Sequence, residues 1–383
     1  MRVIYLDNNA TTKVASEVVE AMLPYFTELY GNASSMHLFG GQLSRPIAHA
    51  REQMAQLIGA SPDELIFTSC GTESDATAIM AALQTQPEKR HIVTTTVEHP
   101  AIMALCQHLE TRGYDITLLG VDEQGRLNLD ELAASLRRDT AIVSIMFANN
   151  ETGTIFPMQR IAEIVKERDI LLHTDAVQAV GKESINLASL PVDYLSLSGH
   201  KLHAPKGIGV LYARKGARFR PFLRGGHQEL SRRAGTENVP YIIGLGQAAE
   251  LICRSMDEDN LLMRRLRDKL EQGLLAVSDT RVNGDREHRL PNTSNLSFKF
   301  IEGEAILLHM DRHGICASSG SACTSGSLEP SHVLRAMNVP FTFVHGSIRF
   351  SLSRYTTEAD IDDTLAVMPS IISDLRAISP FRK

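Results

Sequence analysis

Ser196-Leu197-Ser198-Gly199-His200-Lys201-Leu202-His203-Ala204-Pro205-Lys206-Gly207 is the stretch that decides how this 383-residue chain is read. It follows an apolar run at 192–197 and precedes another at 208–212, each with the length and composition of a buried strand. A lysine at such a junction, among Ser, Gly and His, is poorly placed for a solvated surface charge. It is well placed to form a Schiff base with a carbonyl cofactor, because a desolvated ammonium loses its proton more easily. A single lysine in a loop is ordinarily just a surface charge. The rest of the chain decides between the two.

Working outward, strands are expected at 64–68, 91–95, 116–119, 141–147 and 170–174, separated by helices at 72–83, 101–111, 129–136 and 158–168. Apolar runs alternating with amphipathic helices predict βαβ crossovers and a largely parallel sheet. Such sheets bind ligands beyond the carboxyl ends of their strands. Upstream, Asp7–Thr12 reads as turn and cap chemistry, with helices at 15–29 and 40–58 and Gly59 as the stop of the second. Past Val239 the texture changes. A long helix at 241–275 carries the charged face 263–269, then come a strand at 295–300, a helix at 303–313, a strand at 348–352 and a helix at 358–375. This second part reads as a smaller α+β unit joined by the long helix.

Composition narrows the function classes. With 39 Lys and Arg against 45 Asp and Glu the formal charge is −6, and no long basic block exists, which argues against nucleic acid or an anionic membrane as partner. No apolar run approaches the ~20 residues of a membrane span. Met1 to Asp7 shows neither a signal nor a transit pattern, so the cytoplasm is the expected address. The five cysteines, Cys70, Cys106, Cys253, Cys316 and Cys323, are odd in number and lack C-x-x-C spacing, which speaks against a disulfide framework and a structural zinc site. All but Cys323 read as small buried hydrophobes.

Four further signals stand at expected strand ends. Gly71 and Thr72 open a helix, where backbone N–H groups and a hydroxyl can cradle phosphate; simple N-capping by Thr72 is the alternative. Asp175, in an apolar context, needs a cationic partner to stay ionised, and a pyridinium nitrogen or a salt bridge would serve. Gln178 can donate to a ring phenolate. His99 can stack on a ring and move protons, or be a hydrogen-bonded structural residue. His200 and His203 have metal-ligand spacing, but no carboxylate or cysteine completes a set, and no metal is expected. Phosphate cradle, buried acid and Schiff-base lysine, in that chain order, are together what a pyridoxal-phosphate enzyme requires. Elsewhere, Cys323 sits at the centre of the small-residue run 318–328, which is flexible by composition and suited to delivering a thiolate; a merely tolerated loop thiol is the alternative. Arg349, in an apolar strand, needs a bidentate acceptor: an amino-acid carboxylate, or an internal Asp or Glu.

The set Leu6-Asp7-Asn8-Asn9-Ala10-Thr11-Thr12, Val97-Glu98-His99-Pro100, Ala148-Asn149-Asn150-Glu151-Thr152-Gly153, Asp175-Ala176-Val177-Gln178, Ser198-Gly199-His200-Lys201, Arg233-Ala234-Gly235-Thr236-Glu237-Asn238 and Ser319-Gly320-Ser321-Ala322-Cys323-Thr324-Ser325 resembles the cysteine desulfurases of the class V aminotransferase fold, over essentially the whole chain. The long loop around Cys323 is similar to the group I (NifS/IscS-like) branch, and His203–Gly207, Arg224–Glu229 and Ser325–His332 look most like its nitrogen-fixation type.

The resemblance implies a PLP-dependent transferase of fold type I. Residues 15–255 would form the large domain with a mainly parallel sheet between helices, and 1–14 with 256–383 the small α+β domain carrying the cysteine loop. It implies that Lys201 carries pyridoxal 5′-phosphate, that Asp175 pairs with the ring nitrogen, and that Gln178 and Asn150 lie near the ring oxygen. Gly71, Thr72, Ser198 and His200 are assigned to the phosphate, and Thr236 to the phosphate of a neighbouring subunit, so a homodimer is expected. His99 matches the ring-stacking acid/base. Arg349, with Asn150, matches the substrate-carboxylate site, and Cys323 the persulfide-forming nucleophile, which could also ligate a nascent iron–sulfur cluster transiently. The expected substrate is L-cysteine and the expected sulfur acceptor an iron–sulfur scaffold, for nitrogenase or for housekeeping. Selenocysteine lyase and plain aminotransferase are the competing activities. Residues 219–224 and 379–383 are where partner preference would differ.

Overall fold

The structure is a computed structural model and describes residues 2–319 and 330–380. Its strands are β1 Ile4–Tyr5, β2 Leu65–Thr68, β3 His91–Thr95, β4 Asp115–Leu119, β5 Thr140–Ser144, β6 Leu171–Asp175, β7 Tyr194–Ser198, β8 Gly209–Ala213, β9 Thr280–Asn283, β10 Thr293–Phe298, β11 Ile315–Cys316 and β12 Ser347–Ser351. Seven of them form one sheet in the order β2-β8-β7-β6-β5-β3-β4. Pairing is parallel from β7 through β4, while β8 runs antiparallel to both its neighbours. Parallel neighbours need a crossover of about a dozen residues or more. Residues 199–208, which link β7 to β8, are too few, so the chain turns back as a long hairpin and Lys201 rides in its loop.

Strands β2, β3, β5, β6 and β7 all deliver their carboxyl ends to one edge of the sheet. Ala78, Ile79 and Ala82 of the helix Gly71–Thr85 pack with Ile66, Ile92, Ile142 and Leu211 on one face. The other face is covered by helices that include Ser44–Ile58 and Met158–Lys166, through Ile47, Met54, Ile161 and Val165. A separate core gathers Ile4, Leu6, Leu296, Phe298, Ile348, Phe350, Ile371 and Leu375 around the antiparallel sheet β12-β10-β9. The helix Val239–Leu275 serves both cores. Ile242, Leu245 and Ala249 enter the first, and Met263, Leu266, Leu270 and Leu274 the second.

Several sequence expectations shift at the ends. The helix expected at 15–29 stops at Met22 and restarts as Pro24–Thr27, because Pro24 has no N–H to give to the carbonyl four residues back. The helix expected at 40–58 is divided into Leu38–Gly41 and Ser44–Ile58. Gly59 does end it, at φ +62° with Ala60 N–H bonded to Ala55 O at 2.9 Å. The strand expected at 141–147 is β5, Thr140–Ser144, although Ile145 and Phe147 still donate to His173 O and Asp175 O of β6, and that expected at 295–300 is β10, two residues earlier. The last helix, Glu358–Ile378, is longer than expected; Thr357 and Asp360 form its capping box. Among the described residues no helix is long and apolar enough to cross a membrane.

Candidate active site

At the carboxyl edge of the sheet lies a cavity of about 380 Å³. Gly71, Thr72, His99, Asn150, Asp175, Gln178, Ser198, His200, Lys201 and Arg349 all line it. Those from Gly71 to Lys201 meet because five strands end at one place, and Arg349 is brought in from β12 of the second sheet. Thr236 is exposed and lies outside this cavity. Cys323 and the rest of 320–329 fall outside the described residues.

Lys201 stands in a short 3-10 turn directly after β7. Its Nζ donates to the backbone carbonyls of Asn9 and, at 2.7 Å, of Ala10. These carbonyls were not visible as site groups in the sequence, since a backbone acceptor leaves no side-chain signature. Asp175 ends β6, is 7% exposed, and accepts the Val177 N–H at 2.9 Å. Burial raises its pKa, opposed by the charges of His99 and Lys201 and by that N–H bond. The carboxylate is therefore short of positive charge, which a cation in the cavity would supply.

The helix Gly71–Thr85 points its N-terminus at the cavity. Cys70 is its N-cap and makes no side-chain cap bond, so N–H groups of the first turn are left to a ligand. Thr72 lies inside the helix, so the simple capping alternative does not hold. A Cβ on Gly71 would come within 2.8 Å of Val177 Cγ2. Only glycine lets the helix start this close to the Asp175 turn. Gln178 Nε2 donates to Asn9 O at 3.1 Å, and its buried Oε1 has no partner among the described residues.

His99 caps the helix Pro100–Glu110, its Nδ1 accepting the Ala101 N–H at 3.2 Å. A neutral ring bonded this way carries its proton on Nε2. Burial first, then the Lys201 and His332 charges, lower its pKa against the pull of Asp175. His200 is neutral too, its pKa pushed down to about 4 by burial and by Lys201, Lys206 and His99; its Nδ1 meets Thr11 Oγ1 at 3.2 Å. His203, set aside above as a metal ligand, instead packs edge-on against Tyr355.

Arg349, on β12 and 3% exposed, pairs with Asp7 at 2.8 Å and donates to Asn150 O at 3.1 Å. The internal ion pair foreseen as the alternative is thus present, while Nε is buried with no partner among the described residues. Next to it Ser318 pairs with the Arg349 backbone in both directions, at 3.2 and 2.6 Å. Beyond the undescribed segment, Ser331 donates to Glu151, and the His332 ring meets Glu98 O at 3.0 Å. Both stems of the Cys323 segment are therefore fastened near the cavity.

Two acids escaped the sequence reading. Asp75 is 1% exposed, lines the cavity, and has its pKa raised by burial and then by Asp175. Its signal was an acid sharing the helical stripe of Ala78, Ile79 and Ala82. Glu98 is fully buried and pushed up to about 8, chiefly by burial. An unfolded glutamate releases its proton near 4.5, whereas folded Glu98 keeps it to about 8. Its contribution to stability is therefore fully present below about pH 4.5 and is lost as pH rises towards 8, by up to a few kcal/mol on the order expected for such a shift. Glu98→Gln is expected to flatten this fall when denaturant midpoints are compared at about pH 5 and about pH 8.5.

Of the four cysteines expected to be small buried hydrophobes, only Cys106 is buried; Cys253 is exposed, and Cys70 and Cys316 are intermediate. Cys70 lines the cavity because it is the N-cap of the helix that opens onto it.

The whole arrangement fits a planar ligand with a phosphate at the helix N-terminus, a cationic ring nitrogen at Asp175, a polar ring substituent near Gln178, and a carbonyl within reach of Lys201. The sequence profile of the family described as aminotransferase class-V matches residues 4–364. A protein of Trichormus azollae named cysteine desulfurase is 63% identical over 383 residues, covering 100% of this chain and 96% of that one. The cysteine desulfurase NifS of Azotobacter vinelandii is 57% identical over 380 residues, covering 99% and 94%. A solved structure titled NifS-like protein superposes with a TM-score of 0.92 at 40% identity, covering 98% of this chain and 100% of that one.

Proposed function

The chain belongs to the class V aminotransferase family as a cysteine desulfurase, and on that premise we propose that it binds pyridoxal 5′-phosphate at Lys201, takes the sulfur of L-cysteine onto Cys323 and releases L-alanine. The observation that carries the residue assignment is the single cavity lined by every expected cofactor and substrate side chain except Thr236 and Cys323. When bound, the cofactor supplies a carbonyl that captures the substrate amine and a ring that delocalises electron density from Cα.

The protein's own groups do the rest. The first turn of Gly71–Thr85, with Thr72, Ser198 and His200, holds the phosphate. Asp175 keeps a proton on the ring nitrogen, and Gln178 and Asn150 orient the ring. Arg349 anchors the substrate carboxylate, for which Nε and a share of the donors now facing Asp7 are available. Lys201, as a free amine, would remove the Cα proton. His99 donates through Nε2–H. The Cys323 thiolate then attacks the substrate Sγ: an S–S bond forms, Cβ–Sγ breaks, and the electron pair stays with carbon, which takes a proton.

The same reading divides the chain into a large domain, 15–255, and a small one, 1–14 with 256–383. It also makes the enzyme a cytoplasmic homodimer in which Thr236 serves the neighbouring phosphate and an iron–sulfur scaffold, of the nitrogen-fixation type, accepts the sulfur. Met36, Leu38, Tyr30 and Leu23, all large apolar side chains within 23–38, are 104%, 92%, 68% and 57% exposed, which supports self-association. The test is product analysis. The purified, cofactor-loaded protein given L-cysteine is expected to yield alanine and sulfane sulfur in equal amounts; pyruvate or another keto acid in place of alanine would refute the reading.

A further inference from the structure

Glu73 stands in the first turn of Gly71–Thr85, beside the N–H groups assigned above to phosphate. A carboxylate there suits the helix dipole, but it opposes a dianion held at the same end. Its charge is not left bare. Arg233 Nε and Nη2 donate to its two oxygens at 2.8 and 3.1 Å, and the Ser69 N–H adds a third bond at 2.7 Å. The pair is largely shielded from water, at 10% and 21% side-chain exposure, where a charge is felt more strongly than on an open surface.

Arg233 reaches this position through a disfavoured backbone. Glu229, Leu230 and Ser231 have φ of +48°, +57° and +61°, and none is glycine. L-residues resist that region because of their Cβ, and a run of three persists only where its surroundings impose it. Here they do. Glu229 is buried and makes two bonds with Arg51, at 2.8 and 2.7 Å, and accepts the Phe67 N–H at 2.9 Å. Arg232 then reaches Leu65 O at 2.9 Å. The turn is thus fastened to β2, the strand that leads into the phosphate cradle, and the next residue along is Arg233.

We infer that Arg233 is a positioning residue for the cofactor's phosphate: it cancels and pins the charge of Glu73, so that the first helical turn attracts a dianion. The inference rests on the pyridoxal-phosphate reading. A tie that serves the fold alone would treat ligands with and without phosphate alike, which gives the test its discrimination.

Equilibrium binding is measured on the full chain carrying Lys201→Ala, so that affinity is non-covalent, with pyridoxal 5′-phosphate and pyridoxal as paired probes. Adding Arg233→Ala is expected to weaken the phosphorylated probe about tenfold and to leave pyridoxal within about twofold. Adding Glu73→Gln to that chain is expected to restore most of the loss. Arg233→Gln, of similar length and uncharged, should behave like alanine, and Arg233→Lys like the parent; these two answer for an alanine variant that folds poorly. Equal loss of both probes, no loss of either, or no rescue by Glu73→Gln overturns the inference alone. A parent that binds neither probe overturns the cofactor reading and the inference with it.

Discussion

Lys201→Ala is expected to lose covalently held cofactor and to fall in turnover of L-cysteine by a factor on the order of 10⁴ or more. Two functions vanish with one amine: attachment of the carbonyl, and removal of the proton at substrate Cα. The surroundings show why no neighbour replaces it. Asp175 accepts the Val177 N–H and is assigned by the proposal to the ring nitrogen, and His99 uses Nδ1 as a helix cap, so its other nitrogen carries a proton and does not accept one. The Asn9 and Ala10 carbonyls that hold Nζ can accept hydrogen bonds but not act as bases near neutral pH. Lys201→Arg separates charge from nucleophilicity. It keeps a cation for those carbonyls yet cannot form the imine, and it is expected to be as inactive as alanine. The check is the visible absorption band after the cofactor is stripped and re-supplied, followed by mass spectrometry of the peptide carrying residue 201. A normal band and adduct in either variant would end the assignment of Lys201.

Much of this site could be read from residues because of how parallel sheets are built. A strand covered on both faces is a short apolar run, so polar residues at its end stand out, and Asp175, Lys201 and His99 were found that way. Direction is different. Strand β8 is as apolar as its neighbours, and only the length of 199–208 reveals that it must run back. Long-range partners are also silent. Nothing near Arg349 in sequence announces Asp7, 342 positions away, and the composition of 318–328 does not say that Ser318 will pair with the Arg349 backbone. Cysteine burial failed for a related reason: a thiol's average preference for the interior says nothing about Cys70, which is placed by the helix it caps. The two overlooked acids show the opposite lesson. Asp75 interrupts an apolar helical stripe, and that break in pattern was the available clue.

Cys323→Ala is expected to leave the cofactor band, its pH response and the thermal midpoint as they are, while sulfur release from L-cysteine falls by at least about 10³-fold. The sharp separation follows from where the chain is anchored. Ser318 is bonded to Arg349, which lines the cavity and would hold the substrate carboxylate. Cys323 is five residues further on, a span of at most about 18 Å, and the other stem is fastened at Glu151 and Glu98. A span of that length is enough to bring a thiol to a substrate at Arg349, and the contacts described above for the cofactor cradle are made by other residues. Cys323→Ser should be equally inactive, since a hydroxyl of ordinary pKa is a far weaker nucleophile towards sulfur than a thiolate. Cys253→Ala, on an exposed helix face, is the matched control and should keep full turnover. The outcome to watch for is turnover that survives in Cys323→Ala with an added sulfur on the Cys70 peptide. Cys70 already lines the cavity, and that result would move the acceptor role to it and refute the assignment of Cys323.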